Sequence, residues 1–164
     1  MTEIAFSLRA ATDADYDFMR LLYHSSRDEE MKLFPFTEEQ KLTFLDWQFQ
    51  CQWAHYREHY PTCDWKIIEI DGAPVGRLLV DRWSDQIRIV DVALMTGARG
   101  KGVGSRLMRE VMAEGKAAGK PVTIHVEVFN PAQQLYKRLG FEQADSSGAY
   151  HLMRWTPDQV NTAS

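Results

Sequence analysis

Cysteine is scarce: only Cys51 and Cys63 occur in 164 residues. That is too few for a disulfide framework, and the pair lacks the spacing of a zinc site. A reducing, cytoplasmic setting is therefore expected. No apolar run approaches the ~20 residues that a membrane helix needs, and the first residues lack the basic-then-apolar order of a secretory leader. Cations are not in excess either, since 19 Lys and Arg against 23 Asp and Glu leave a net charge of −4. A nucleic-acid surface needs clustered Lys and Arg, so neither nucleic acid nor a membrane is expected as a partner. Repeats and low-complexity linkers are missing as well. What remains is ordinary soluble material, 45% apolar and 26% charged, of a length that suits one domain with a sizeable core. A single domain over residues 1–157 is expected, with residues 158–164 as a frayed tail.

The informative stretch runs from Ile87 to Met108. It begins as a β-branched apolar run that reads as a strand ending near Leu94 or Met95, followed by a turn at Thr96, Gly97 and Ala98. Gly100, Gly102 and Gly104 then alternate with other residues, and Val103, Leu107 and Val111 repeat at helical spacing. Strand, glycine loop and helix start together offer unpaired backbone N–H groups at the positive end of a helix dipole, which is an anion site. A Walker loop does not fit, because no lysine follows the second glycine of its spacing. A dinucleotide fingerprint does not fit either: its third glycine comes one residue early, and Lys120 stands where an acid should bind ribose. The pattern that does fit is Arg99-x-x-Gly102-x-Gly104. A turn that merely lets strand and helix pack closely is the structural alternative.

A second stretch, Asn130-Pro-Ala-Gln-Gln-Leu-Tyr-Lys-Arg-Leu-Gly-Phe141, has helical periodicity closed by Gly140. In this order the two stretches resemble the GCN5-related N-acetyltransferase (GNAT) superfamily, which uses acetyl-coenzyme A. The resemblance covers about residues 65–155. It implies a mixed, mostly antiparallel sheet of about seven strands with about four helices, the acyl-CoA N-acyltransferase fold, strands four and five being parallel and splayed.

Taken in order, Ile4–Arg9 alternates as a half-buried strand, and Thr12 caps a helix with Ala14, Phe18, Leu21 and Leu22 on one face. Residues 25–36 read as irregular, and Thr37-x-x-Gln40 is a capping box for a long helix to about Tyr60. Its stripe is Leu42, Leu45, Phe49, Trp53, Tyr56 and Tyr60. Trp65–Ile70, Asp71-Gly72 and Val75–Val80 form a hairpin leading to the central strand. A helix from Gly102 to Gly119 crosses over to a parallel strand at Val122–Val128, and Phe141–Ala144 with Tyr150–Trp155 make a final antiparallel pair.

The resemblance also implies roles. Val92, Ala93 and Leu94 are expected to pair with the pantetheine arm and present an N–H to the thioester carbonyl. Arg99, Gly100, Lys101, Gly102, Val103 and Gly104 would hold the pyrophosphate through amides, with a hydroxyl from Ser105. Tyr136 would act as general acid towards the leaving thiolate, packing being its alternative role. Asn130 caps its helix, bonds the pantetheine arm, or both. Asp91 is the candidate base, with an ion pair to Arg88 as the structural alternative and His125, Glu127 or a water chain as rivals. Cys51, His55 and His59 share one helix face, but nothing completes a ligand set, and no metal is expected. The acceptor region falls at Leu33–Phe36, the aromatic side of the long helix, and Ser146–Tyr150. The expected reaction is acetylation of a primary amine on a small molecule in an enclosed pocket. A peptide amine or a non-catalytic acyl-CoA binding module are the alternatives, and a homodimer is left open beside a monomer.

Overall fold

Strands and helices follow one another as β1 (Ser7–Ala10), α1 (Tyr16–Ser26), α2 (Asp28–Met31), α3 (Glu38–His59), β2 (Asp64–Ile70), β3 (Ala73–Arg82), β4 (Ile87–Leu94), α4 (Val103–Ala118), β5 (Val122–Glu127), α5 (Ala132–Arg138), β6 (Glu142–Ser147) and β7 (Tyr150–Trp155). This is the order in a computed structural model, which describes residues 4–157; the expected tail lies outside them. The seven strands form one sheet in the order β1-β2-β3-β4-β5-β7-β6. β1 with β2, β5 with β7 and β6 with β7 pair antiparallel, whereas β4 and β5 run parallel from Ile87↔Val122 to Ile89↔Ile124. The chain folds into two compact units, Met1–Leu79 with Val92–Val103, and Val80–Asp91 with Gly104–Ser164.

In the first unit, α3 starts where the capping box places it. Gln40 N–H donates to Thr37 Oγ1 at 3.1 Å, and Thr37 N–H donates to Gln40 Oε1 at 2.9 Å. Its Leu45 and Phe49 pack with Met19, Tyr23, Met31 and Ile67 in a closed core, rimmed by Tyr16, Phe18, Trp53 and Trp65. Truncating a side chain as enclosed as Phe49 to Ala typically costs about 3–5 kcal/mol. Asp71 and Gly72 both take positive φ, 52° and 78°, as a two-residue hairpin turn requires. Arg77 of β3 is buried as well, donating to Gln52 Oε1 at 2.7 Å and lying 5.7 Å from the Trp65 ring. Arg9 joins β1 to its neighbours through Asp15 and Glu69, each at 2.8 Å. The Arg9 bonds hold the Asp15 carboxyl down to about 2, against the burial that works the other way.

The second unit buries Ile87, Ile89, Leu107, Met108, Val122, Ile124, Tyr136, Phe141 and Met153. Gly119, with φ 68°, ends α4, and Lys120 N–H reaches back to the Gly115 carbonyl at 2.8 Å. The β6–β7 register slips between Gln143 and Asp145.

Several local expectations shift. The first strand is Ser7–Ala10 rather than Ile4–Arg9. Thr12 caps a single 3-10 turn, Asp13–Asp15, and α1 then buries Met19, Leu22 and Tyr23, while Leu21 is 52% exposed. The helix starts three residues later than its cap suggested, which rotates its inner face. Residues 25–36 are not wholly irregular, since α1 runs to Ser26 and α2 adds one turn.

Candidate active site

Hairpin β3–β4 carries an irregularity that no local pattern announces. At its closed end Trp83 N–H donates to the Gln86 carbonyl, and at its open end Met95 N–H donates to the Val75 carbonyl at 2.7 Å. Eight steps separate Val75 from Trp83, but nine separate Gln86 from Met95, so β4 carries one extra residue, a β-bulge. The Ala93 carbonyl shows where the ladder is disturbed: a Cβ on Gly76 would lie 2.3 Å from that oxygen. Only glycine fits there. Because a trans peptide is planar, the Leu94 N–H of the same unit points away from Gly76.

Beyond β4 the chain makes a 3-10 turn at Thr96–Ala98, then the glycine loop. Gly100 and Gly102 take φ of 73° and 82°, the left-handed region. A Cβ on either would meet nothing within 4 Å, so these glycines serve backbone shape and an open approach rather than packing. Ala98 and Val103 are buried and pin the loop at both ends. Among the described residues, no acceptor takes the N–H of Gly100 or Gly102. Arg99 is exposed, and its Nε donates to the Leu94 carbonyl at 2.9 Å. The loop's free donors are backbone amides together with the exposed Arg99 Nη groups and the Lys101 ammonium, a set that suits a phosphate. Gly104 and Ser105 stand in the first turn of α4. Ser25 Oγ lies 3.2 Å from Thr96 Oγ1, tying the end of α1 to the start of the loop.

In the second unit Tyr136 lies on α5, its ring buried and 6.0 Å from Phe141. Burial, and then the charge of Asp91, push its phenol up to about 12. Its hydroxyl has no hydrogen-bond partner among the described residues. Asp91 is half-buried on β4. Arg88 donates to Thr123 Oγ1 at 2.8 Å and lies 3.3 Å from His125 Nδ1. Partial burial and the Arg88 charge lower the pKa of His125, so its exposed ring is neutral at pH 7. Asn130 Oδ1 accepts the Ala132 N–H at 2.9 Å just before α5, whose N-cap position is Pro131 rather than Asn130, and its NH2 group has no partner among the described residues.

Gln133 is a residue that motif reading passed over. Buried, it donates from Nε2 to the carbonyls of Glu127 and Val128 at 3.0 and 2.6 Å, and its Oε1 lies 3.2 Å from His151 Nδ1. It fastens α5, and with it Tyr136, to the end of β5. Its place between Pro131 and Tyr136 in the motif was the available signal.

Other features stay apart from this chemistry. The rings of His55 and His59 are 4.3 Å apart on α3, but no group of three potential ligands that could hold a metal occurs among the described residues. The aromatic segment after α2 stands at the surface, with Leu33 82% and Phe34 46% exposed, rather than walling an enclosed pocket. No helix among the described residues is long and apolar enough to cross a membrane.

A mixed sheet whose fourth strand feeds an amide-rich glycine loop and a helix start defines an acyltransferase-like α/β architecture. A profile of the Acetyltransferase (GNAT) family matches residues 21–141, and the chain belongs to that family, whose members transfer acetyl groups from acetyl-coenzyme A to nitrogen. The fold is similar to that of the PaiA N-acetyltransferase from Thermoplasma acidophilum in complex with coenzyme A, at TM-score 0.69 and 14% identity over 93% of this chain and 99% of that one. An acetyltransferase from Thermus thermophilus gives 0.68 and 16% over 95% and 99%. A GNAT family acetyltransferase from Elizabethkingia anophelis with acetyl-CoA bound gives 0.59 and 13% over 92% and 97%. At such identities the likeness is one of fold. No curated protein matches the sequence.

Proposed function

We propose that residues 1–157 act as one catalytic domain that transfers acetyl from acetyl-coenzyme A to a primary amine of a small molecule by direct attack. The observation that carries this reading is the pair of left-handed glycines, Gly100 and Gly102, whose loop offers free amides to an anion in a chain of this family. The co-substrate supplies an activated acyl group; the protein binds and orients it. Amides from Arg99 to Gly104, with Ser105, hold the pyrophosphate, and the Asn130 amide and the backbone of Val92–Leu94 hold the pantetheine arm. At the bulge, the Leu94 N–H turned away from Gly76 faces the thioester oxygen and stabilises the charge that grows there.

Tyr136 remains a neutral donor at every physiological pH because its pKa is pushed up to about 12. Full proton transfer to a thiolate of pKa near ~8.5 is uphill, so the phenol helps as a general acid mainly through a hydrogen bond that strengthens as the C–S bond breaks. The proton that finally rests on sulfur originates on the attacking nitrogen. Asp91, directly or through water, takes the proton that an alkylammonium must shed before attack. The exposed rings at Phe34 and Phe36 suit an apolar part on the acceptor.

That same exposure favours a second reading, a peptide amine, because an open aromatic strip can take a longer acceptor than a closed pocket. Incubation with acetyl-coenzyme A, a panel of small amines and a peptide library, followed by thiol release, tests both. Turnover of small amines is expected. Turnover on peptides alone would reject the small-molecule reading, and binding of coenzyme A without any turnover would leave a sensor.

A further inference from the structure

A cavity of about 440 Å³ opens in the first unit where β1 ends and β2 begins. Its walls include Thr12, Asp13, Trp53, Arg57, Tyr60 and Trp65. Trp65 is at the Asp64 end of β2, whereas the hairpin turn after Ile70 leads straight to Val75 and its bond with Met95. At ~3.3 Å per residue, β2 keeps the two ends about 20 Å apart. The cavity is therefore separate from the glycine loop and the β4 bulge, although Trp53 and Tyr60 in its walls belong to the aromatic side of α3 that the sequence offered to the acceptor.

Its chemistry is selective. The rings of Trp53 and Trp65 are 4.9 Å apart and inclined by 60°, both half-buried. Arg57 lays its guanidinium 4.9 Å from one ring centroid and 5.7 Å from the other. Stacking orients that guanidinium but leaves its N–H edge unused: neither Arg57 nor either indole N–H has a hydrogen-bond acceptor among the described residues. Asp13 shares the cavity but forms no ion pair with Arg57 or any other described residue, and Asp64 is paired with Lys66 at 3.6 Å. Idle donors around aromatic walls call for an acceptor-bearing flat ligand. With Asp64 taken up by Lys66, Arg57 is the one cation in the walls that can receive a ligand carboxylate, and Asp13 beside it disfavours a second negative charge. The volume lies within the ~300–1,000 Å³ of ordinary small-molecule sites.

We propose that this cavity is a second ligand site, taking a small aromatic molecule with one carboxylate, its ring against Trp53 and Trp65 and its carboxylate on Arg57. The ligand is either a plain aromatic acid or an aromatic amino acid whose ammonium meets Asp13. Calorimetric titration with 3-phenylpropionate, its neutral amide, butyrate and phenylalanine tests this on the full chain, with and without saturating coenzyme A. Phenylpropionate should saturate with Kd below about 1 mM, and the amide and butyrate should bind at least ~10-fold more weakly. Coenzyme A should leave that affinity unchanged. Arg57→Gln, at an exposed helix position, should reduce binding of the acid to that of the amide, with an unaltered circular dichroism spectrum. Tighter binding of phenylalanine that is lost in Asp13→Asn identifies an amino-acid ligand; weaker binding identifies a plain acid. No saturation of wild type by either acid up to about 10 mM, equal affinity for the amide, or displacement by coenzyme A would overturn the proposal.

Discussion

Substituting Gly76 by Ala probes the β4 bulge with one added methyl group. The new Cβ would sit 2.3 Å from the Ala93 carbonyl oxygen, 2.9 Å from Leu94 Cδ2 and 3.2 Å from Ile68 Cδ1. Side chains can rotate away, but the carbonyl belongs to the backbone and must retreat about 1 Å to reach ordinary contact. Overpacking of this kind costs about 1–3 kcal/mol, of which a stiffer unfolded chain offsets ~0.4–1. For a chain of this size the melting temperature should fall by at most about 10 °C, leaving the protein folded at 25 °C. The catalytic effect should be larger in proportion. The Leu94 N–H moves with the Ala93 carbonyl, and a donor displaced by about 1 Å loses ~10²-fold in rate. The glycine loop is pinned separately through Ala98 and Val103, so affinity for coenzyme A should fall much less than the rate, by only what the shifted Val92–Leu94 backbone loses on the pantetheine arm. Thiol release with a proven acceptor, calorimetry with coenzyme A, and thermal unfolding give the three readouts. Full turnover in a folded Gly76→Ala protein would refute the reasoning, because the bulge would then not place the donor.

Gly102→Glu should abolish binding of coenzyme A, whereas Gly102→Asn, which tolerates the φ of 82°, should retain part of it; calorimetry on both separates backbone strain from blockage and charge. Tyr136→Phe should lower turnover by about 10²-fold while the Kd of coenzyme A holds, read by single-turnover kinetics with a proven acceptor. The phenol also predicts alkaline behaviour. Its folded pKa of about 12 lies above the ordinary 10.0, so the folded state holds the proton more tightly, and the associated stability is complete below pH 10 and lost as pH rises towards 12. Denaturant titrations should show that decline in wild type and a weaker one in Tyr136→Phe. Asp15 acts in the opposite sense: held at about 2 against 3.8, it contributes stability above pH 3.8 that disappears as pH falls to 2, and Asp15→Asn should flatten that acid limb.

Local rules were enough for much of this protein. The capping box at Thr37, the Asp71-Gly72 turn, the glycines that start α4 and the helix α5 inside the Asn130–Phe141 motif each depend on neighbours within a few residues, so their chemistry is written in order along the chain. The loop was legible for the same reason, since its donors lie on neighbouring residues. Where the first helix turns its buried face was not, because Met19 rather than Leu21 faces α3 only once the 3-10 turn at Asp13–Asp15 has set the starting angle. Nor did any pattern mark Gly76 as special: one glycine in a strand has meaning only when a carbonyl 17 positions further on leans over it. The insertion of β7 between β5 and β6, the packing of Trp53 from α3 against Trp65 from β2, and the rise in the Tyr136 pKa beside Asp91 share that character. Each is a meeting of residues far apart in the chain, and only the tertiary structure decides which of them meet.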